Sequence, residues 1–299
     1  MSLFDWLVVK TLPAVPKFIV GRVAARYVAG ETLADAERVI RELDVEGAVT
    51  TLDILGEEVR DRELARTALG EYRRLLVAIR ESGLEDCYVS VKPTQLGLMI
   101  DEGFCRENLE CLVEEASASG IFVRLDMEDR TATDGTLRIY RHLRQRSERV
   151  GTVLQAYMRR TLDDVAELPD GANIRLCKGI YIEPRAVAWK GYETVRLNYL
   201  AALEKLFARG AYVAIATHDE YLVCAAVALI DRLGLGRDRY EFQMLLGVDA
   251  ELRRILIRGG HRLRVYVPYG RHWYQYSTRR LRENPAVAGH VMRALLRGD

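Results

Sequence analysis

The chain is short of several things at once, and each shortage removes a class of function. Net charge is almost absent: 44 Lys and Arg against 43 Asp and Glu leave +1 over 299 residues. No nucleic acid partner is implied by such a balance. Cysteine is scarce and unpaired. Cys87, Cys105, Cys111, Cys177 and Cys224 are an odd number with no C-x-x-C spacing, which argues against a disulfide framework or a zinc site and for a reducing, cytoplasmic setting. Long apolar runs are missing too. The N-terminal MSLFDWLVVKTLPAVPKFIV is interrupted by Asp5, Lys10, Pro13, Pro16 and Lys17, and it lacks the basic start and small-residue cleavage site of a signal peptide. It reads either as a helix packed on the domain or as one that touches a membrane surface or a partner. G-x-G-x-x-G after a strand, G-x-x-x-x-G-K-[ST] and H-E-x-x-H are all absent, so the usual signatures of Rossmann, P-loop and zinc-protease chemistry are lost. Lysine is rare, occurring only at positions 10, 17, 92, 178, 190 and 205. A lysine at a strand end is therefore conspicuous.

What the chain does have is alternation. Short β-branched, apolar runs lie at 47–55, 87–92, 121–127, 151–158, 172–178, 211–218, 240–245 and 261–268. Charged segments of 3.6-residue period separate most of them, as at 56–82, 105–120, 132–146, 189–210, 221–234 and 249–260. Strands alternating with helices call for a parallel sheet joined by crossovers. Eight such units in one chain of this length predict an α/β fold, a (β/α)8 TIM-type barrel. Glycines at 120, 210, 234 and 260 fit helix C-termini. No composition break divides the chain, so residues 1–299 read as a single domain. Extra N-terminal helices would fill 1–45, the barrel 46–285, and a C-terminal tail helix 286–299.

In such barrels chemistry sits at the C-terminal ends of the strands. Those positions carry Asp53, Lys92, Asp126 with Glu128 and Asp129, Gln155 with Tyr157, Arg175 with Lys178, His218 with Asp219, Gln243, and Tyr266 with Tyr269. Structural salt bridges explain one or two of these more readily than a ring of them, so a polar pocket is expected. Individual members stay open between roles. Asp126 and Glu128 could be a carboxylate pair for a metal. His218 reads as a base, a ligand or a hydrogen-bonded core residue. Lys92 and Lys178 suit Schiff bases or cations presented to an anion. Arg175 is an unusual charge for a buried strand end and usually faces an anion. Farther on, Tyr276, Arg279, Arg280 and Glu283 are spaced i, i+3, i+4 and i+7, which puts all four on one helical face. Such a face is either a solvated surface or a grip for a small anion against an aromatic wall.

VSVKPTQLGL, RLDMED, LQAY, RLCKGIY, ATHD, FQMLLG, VYVPYG and YSTRRLRENP follow one another in this order. In that set, running from about residue 28 to Pro285, the chain resembles the proline dehydrogenase family. The resemblance implies an FAD-dependent barrel that oxidises L-proline to Δ1-pyrroline-5-carboxylate by hydride transfer from C5 to flavin N5, the first step of proline catabolism. Carried onto these positions, it implies that Arg279 and Arg280 grip the proline carboxylate with help from Lys92, while Glu283 orients the arginines. Tyr266, Tyr276, Tyr181 and Leu245 would wall the ring. Asp126 and Arg175 would be the catalytic pair, with Arg175 against the flavin. Met127, Gln155, Lys178, Gly179, Ile180, Thr217, His218 and Gln243 would contact FAD. Electrons would pass to a membrane quinone, making the protein cytoplasmic with a peripheral contact at the inner face of the cell membrane. Rival readings are a Schiff-base lyase using Lys92 or Lys178, a metal-dependent hydrolase using Asp126, His218 and Asp219, and a non-catalytic scaffold.

Arg280→Met is expected to raise the KM for proline by tens-fold, because a hydrogen bond to a charged group contributes roughly 1.5–3 kcal/mol. Unchanged steady-state kinetics would remove the arginine pair from this reading.

Overall fold

The computed structural model describes Gly21 and residues 24–84, 86–274 and 276–278. Arg279, Arg280, Glu283, the tail at 286–299 and the first twenty residues lie outside them. Eight parallel strands close into a barrel in chain order: β1 (Val49–Ile54), β2 (Tyr88–Val91), β3 (Val123–Leu125), β4 (Val150–Gln155), β5 (Asn173–Cys177), β6 (Tyr212–Ala216), β7 (Tyr240–Leu245) and β8 (Leu263–Tyr269). β8 pairs back onto β1 from Val49 opposite Arg264 to Ile54 opposite Tyr269.

Several helices start where short acidic or hydroxyl side chains take up free backbone amides. α1 (Leu33–Val45) opens with a capping box between Thr32 and Asp35. Asp61 accepts from the amides of Glu63 and Leu64 at the head of α2 (Arg62–Glu81). Asp101 and Asp129 cap α3 (Glu102–Ala118) and α4 (Arg130–Arg144) in the same way. α6 (Tyr192–Ala208), α7 (Glu220–Leu233) and α8 (Ala250–Arg258) complete the alternation. α7 stops at Gly234, whose φ of 60° is left-handed backbone that a side chain would strain. The sequence reading has no helix between the fourth and fifth strands. The structure places α5 (Thr161–Ala166) there, six residues long, too short to display a helical period.

Which way the strand residues point explains the composition. Leu52, Val89, Leu125, Ile174, Ile215 and Val265 are buried in the apolar core together with helix residues such as Leu75, Leu112 and Leu206. Barrel interiors are commonly filled by branched apolar side chains; this one holds charge. Arg124 and Arg264 are among the largest fully buried side chains. Arg124 donates to the carbonyls of Thr152 (2.9 Å) and Asn173 (2.7 Å) and to Asn173 Oδ1 (2.5 Å). Only glycine fits at position 151, because a Cβ there would lie 2.4 Å from the Arg124 guanidinium. Arg264 stacks on Tyr88, 3.4 Å from the ring centre, and donates to the carbonyls of Thr50 and Asp86 at 2.6 Å. Its Nε lies 2.9 Å from Glu241. Burial pushes the Glu241 carboxyl up, but Arg264, Gln243 and Arg262 outweigh it and hold the group at about 2. These groups floor the barrel beneath the site.

The segment before α1 returns across the barrel mouth. Ala29 N–H donates to Pro268 and Gly270 N–H to Gly30, both at 2.9 Å, while Trp273 donates to Glu31 at 2.8 Å. Among the described residues no helix is long and apolar enough to cross a membrane.

Arg264→Met should lower the unfolding free energy by about 3–5 kcal/mol, the usual cost of leaving one member of a buried pair alone. Urea denaturation would show a lower midpoint at unchanged slope; an unmoved midpoint would mean that the floor pair is dispensable.

Candidate active site

A cavity of about 630 Å³ opens where the strands end, lined from β4 through β8 and covered by Ala24, Tyr27, Tyr276 and Ser277. Arg175, on β5, reaches across its floor. Its Nε donates to Gln243 Oε1 at 2.6 Å, one terminal nitrogen to Asp126 at 2.5 Å, and the other to Ser90 Oγ at 2.9 Å. Asp126 also accepts from the Tyr266 hydroxyl at 3.1 Å. Four strands thus converge on one guanidinium. Arg175 and Asp126 are 8% exposed each, just enough to present charge to a ligand without giving it to water.

Lys92 follows β2, and its ammonium lies 2.7 Å from both oxygens of Asp53. Burial lowers the lysine's pKa, yet Asp53, Asp126 and Glu128 around it win and raise it. Burial drives Asp53 the opposite way, upward, against the pull of Lys92. Two contacts at 2.7 Å favour the charged pair. A lysine nucleophile needs a depressed pKa, so Lys92 does not suit a Schiff base. The expectation that Lys92 offers its charge directly to a carboxylate meets the same geometry: that charge is already matched by Asp53.

Glu128 turns away from any metal role. Its carboxylate takes the Thr94 amide at 3.0 Å and the Thr94 hydroxyl at 2.6 Å, fixing the turn at Pro93–Leu96 just after Lys92. Burial pushes this carboxyl up to about 7. Gln155 Nε2 donates to the Glu128 carbonyl at 2.9 Å, so the two strand ends are tied together. Among the described residues no three His, Cys, Asp or Glu side chains gather as metal ligands. Asp219 is otherwise engaged: Arg196 grips both its oxygens at 2.9 and 2.7 Å, Tyr192 donates at 2.8 Å and Lys178 at 3.2 Å. Those hydrogen bonds, Arg196's foremost, hold its carboxyl well below the ordinary range. His218 Nε2 accepts the Leu245 amide at 2.9 Å, which makes it a brace between β6 and β7.

Other sequence candidates share the same wall, which Asp129, Tyr157 and Tyr269 do not line. Met127, Gly179, Ile180 and Thr217 line it, as do Tyr181, Leu245, Tyr266 and Tyr276. Gly179 has φ 102°, and a Cβ there would sit 2.1 Å from the Tyr157 ring, so the backbone must stay bare at this point. Tyr276 is buried against Val28 and Leu55. Arg279, Arg280 and Glu283 follow it in the chain, outside the described residues. Ser277 Oγ is buried and has no hydrogen-bond partner among the described residues, which leaves a polar atom for whatever fills the cavity. Sequence reasoning passed over Ser90, Glu241 and Arg196. Ser90 and Glu241 lie two residues before Lys92 and Gln243, a spacing that puts each pair on one face of its strand. Arg196 is half-way along no motif and left no signal. Ala24 and Tyr27 line the cavity because the chain crosses the mouth before α1.

A family model described as "Proline dehydrogenase" matches residues 36–293. Proline dehydrogenase from Deinococcus radiodurans is 37% identical over 281 residues, covering 92% of this chain and 90% of that one. Proline dehydrogenase 1 from Bacillus subtilis subsp. natto is 35% identical over 275 residues, 92% of this chain and 91% of the relative. Among solved structures, proline utilization A from Bdellovibrio bacteriovorus superposes with a TM-score of 0.84 at 22% identity. It covers 93% of this chain and 36% of that larger one, a likeness of fold.

The raised Glu128 carboxyl makes stability depend on pH. A carboxyl moved from 4.5 to about 7 by burial costs the folded state roughly 3 kcal/mol once it ionises. The protonated form is favoured by folding, so this stability is complete below pH 4.5 and is lost as pH rises through about 7. Glu128→Gln keeps an acceptor for Thr94 and carries no proton to lose. Relative to the parent, its melting temperature should climb between pH 5 and 8; a constant difference across that window would contradict the assignment.

Proposed function

This chain belongs to the proline dehydrogenase family, and we propose that it oxidises L-proline in the cavity at the strand ends with FAD as the bound electron acceptor. Its activity is that of a proline dehydrogenase, an oxidoreductase of proline catabolism. The residues present suit a flavin. The volume of about 630 Å³ is in the range of cofactor sites, which are mostly apolar with a few placed polar groups. Met127, Val153 and Met244 supply apolar wall, Arg175 supplies fixed positive charge, and Ser277 supplies a hydroxyl with no partner among the described residues. When bound, FAD would supply the acceptor for the hydride leaving C5 of proline, the amine proton passing to solvent, to give Δ1-pyrroline-5-carboxylate.

The protein's own part is placement. Arg279 and Arg280 would hold the substrate carboxylate, since guanidinium forks meet both oxygens at fixed geometry, and Glu283 would orient them. Tyr266, Tyr276, Tyr181 and Leu245 would enclose the ring methylenes and keep water out, which strengthens the ionic grip. Lys92, paired with Asp53, would steady the wall beside the substrate carboxylate. Asp126 holds both the Arg175 guanidinium and the Tyr266 hydroxyl, so it joins the cofactor side of the cavity to the substrate side. Arg175 would sit where negative charge develops during reduction. Met127, Gln155, Lys178, Gly179, Ile180, Thr217, His218 and Gln243 would hold the cofactor. Reoxidation by a membrane quinone would need a peripheral visit to the bilayer surface from the cytoplasmic side, for which the apolar first twenty residues or residues 286–299 would serve.

The observation that carries this reading is Arg175, a buried cation held by three partners on the floor of the cavity. Visible absorption tests it. The purified protein should show oxidised flavin bands that bleach under anaerobic L-proline, whereas a colourless protein or bands indifferent to proline would refute it.

A further inference from the structure

Glu241 does something that the functional reading does not ask of it. It and Gln243 lie two apart on β7, so they share the inner face while Phe242 between them joins the apolar core. Gln243 Nε2 donates to Glu241 Oε1 at 2.5 Å, and Gln243 Oε1 accepts from Arg175 Nε at 2.6 Å. Below, Arg264 Nε donates to the two Glu241 oxygens at 2.9 and 3.2 Å, and Arg262 Nε to one of them at 3.3 Å. A continuous line of hydrogen bonds therefore runs from the barrel floor to the cavity floor: Arg264, Glu241, Gln243, Arg175, Asp126, Tyr266.

The geometry points to Glu241 as a positioning residue for Arg175, acting through the orientation of the Gln243 amide. An amide has a carbonyl at one end and an NH2 at the other, and turning it over exchanges them. An ionised carboxylate only accepts and a guanidinium only donates. Between Glu241 and Arg175, Gln243 satisfies both neighbours one way round. Inverted, it sets carbonyl against carboxylate and NH2 against guanidinium, losing both hydrogen bonds in a setting where an unpaired polar group is costly. Arg264 and Arg262 keep Glu241 ionised, with its carboxyl at about 2, so its acceptor character persists over the whole working pH range. With Nε fixed, the planar guanidinium aims its other nitrogens at Asp126 and Ser90. The role rests on the reading of Arg175 as the cation beside the reacting centre.

Two variants test it, each alone and combined. Glu241→Gln keeps the shape but can donate as well as accept; Gln243→Met cuts the line and leaves Glu241 on its arginines. The readouts are kcat and KM for proline, the flavin midpoint potential of the holoenzyme, and the position of Arg175 in crystals of the purified protein. Glu241→Gln should lower kcat about tenfold with KM little changed, shift the potential, and free Arg175 from Asp126. Adding it to Gln243→Met should change kcat and potential no further, as expected of residues acting in one line. An unshifted potential with Arg175 unmoved in Glu241→Gln overturns the proposal. So does an equal loss in the Gln243→Met background, which marks a purely structural role through Arg264. Should Glu241→Gln fail to fold, Gln243→Met decides: Arg175 still pinned to Asp126 and Ser90 at an unchanged potential overturns it. A protein without flavin would defeat the functional reading instead, and the crystallographic position of Arg175 would still settle this one.

Discussion

Charge inside a closed barrel must be matched, because an ion taken from water into a protein interior costs several kcal/mol unless partners replace its hydration. Here Arg124, Arg175, Arg264 and Lys92 all point into the barrel, and each finds oxygen within 2.9 Å. The rest of the structure follows from that requirement. Apolar packing is displaced to the layer between strands and helices, where Leu52, Ile174 and Val265 meet the helices. The strands can then carry polar side chains inward without leaving the protein coreless.

The matching is graded along the barrel axis. At the floor, Arg124 and Arg264 meet backbone carbonyls and aromatic faces, with Asn173 and Glu241 adding side-chain oxygens, and neither arginine lines the cavity at the strand ends. At the mouth, Arg175 and Asp126 are satisfied by side chains while keeping a sliver of exposed surface. Burial that would be a liability for isolated ions becomes, at the mouth, a dry setting in which a carboxylate or a developing negative charge feels the guanidinium strongly.

Much of this was legible in the sequence because a strand is read two residues at a time. RLDM and EFQM each alternate a charged or amide residue with an apolar one and carry their polar members inward, while RLCK keeps that period only through Arg175 and Leu176. The eight strands follow from the short apolar runs between helical segments, and the gathering of Asp126, Arg175, Gln155 and Gln243 on one cavity follows from their place at the C-terminal strand ends. What the period cannot give is who pairs with whom across the barrel. Lys92 meeting Asp53 depends on the register between β1 and β2, in which Asp53 sits opposite Ser90. Lacking that register, the sequence suggested a lysine free to meet a substrate. Arg196 reaches Asp219 from a helix, a contact set by how α6 lies on the barrel and invisible in any motif. The helix at 161–166 leaves no trace in the sequence for a different reason: six positions do not span two turns, so no periodicity exists to read.

The same pairing bears on why an interior this polar persists. Buried ion pairs can often be exchanged for apolar residues of similar volume with no loss of stability, so stability alone does not explain four inward cations. Replacing Arg264 and Glu241 together by such a pair would fill the floor equally well. It would also leave Gln243 with nothing below it that only accepts, and the amide above would no longer have a preferred way round. The floor pair therefore contributes less as an ion pair than as a fixed polarity, a direction handed upward through one amide to the guanidinium at the cavity. On that view the cost of charge at the bottom of the barrel is offset by the orientation it imposes at the top.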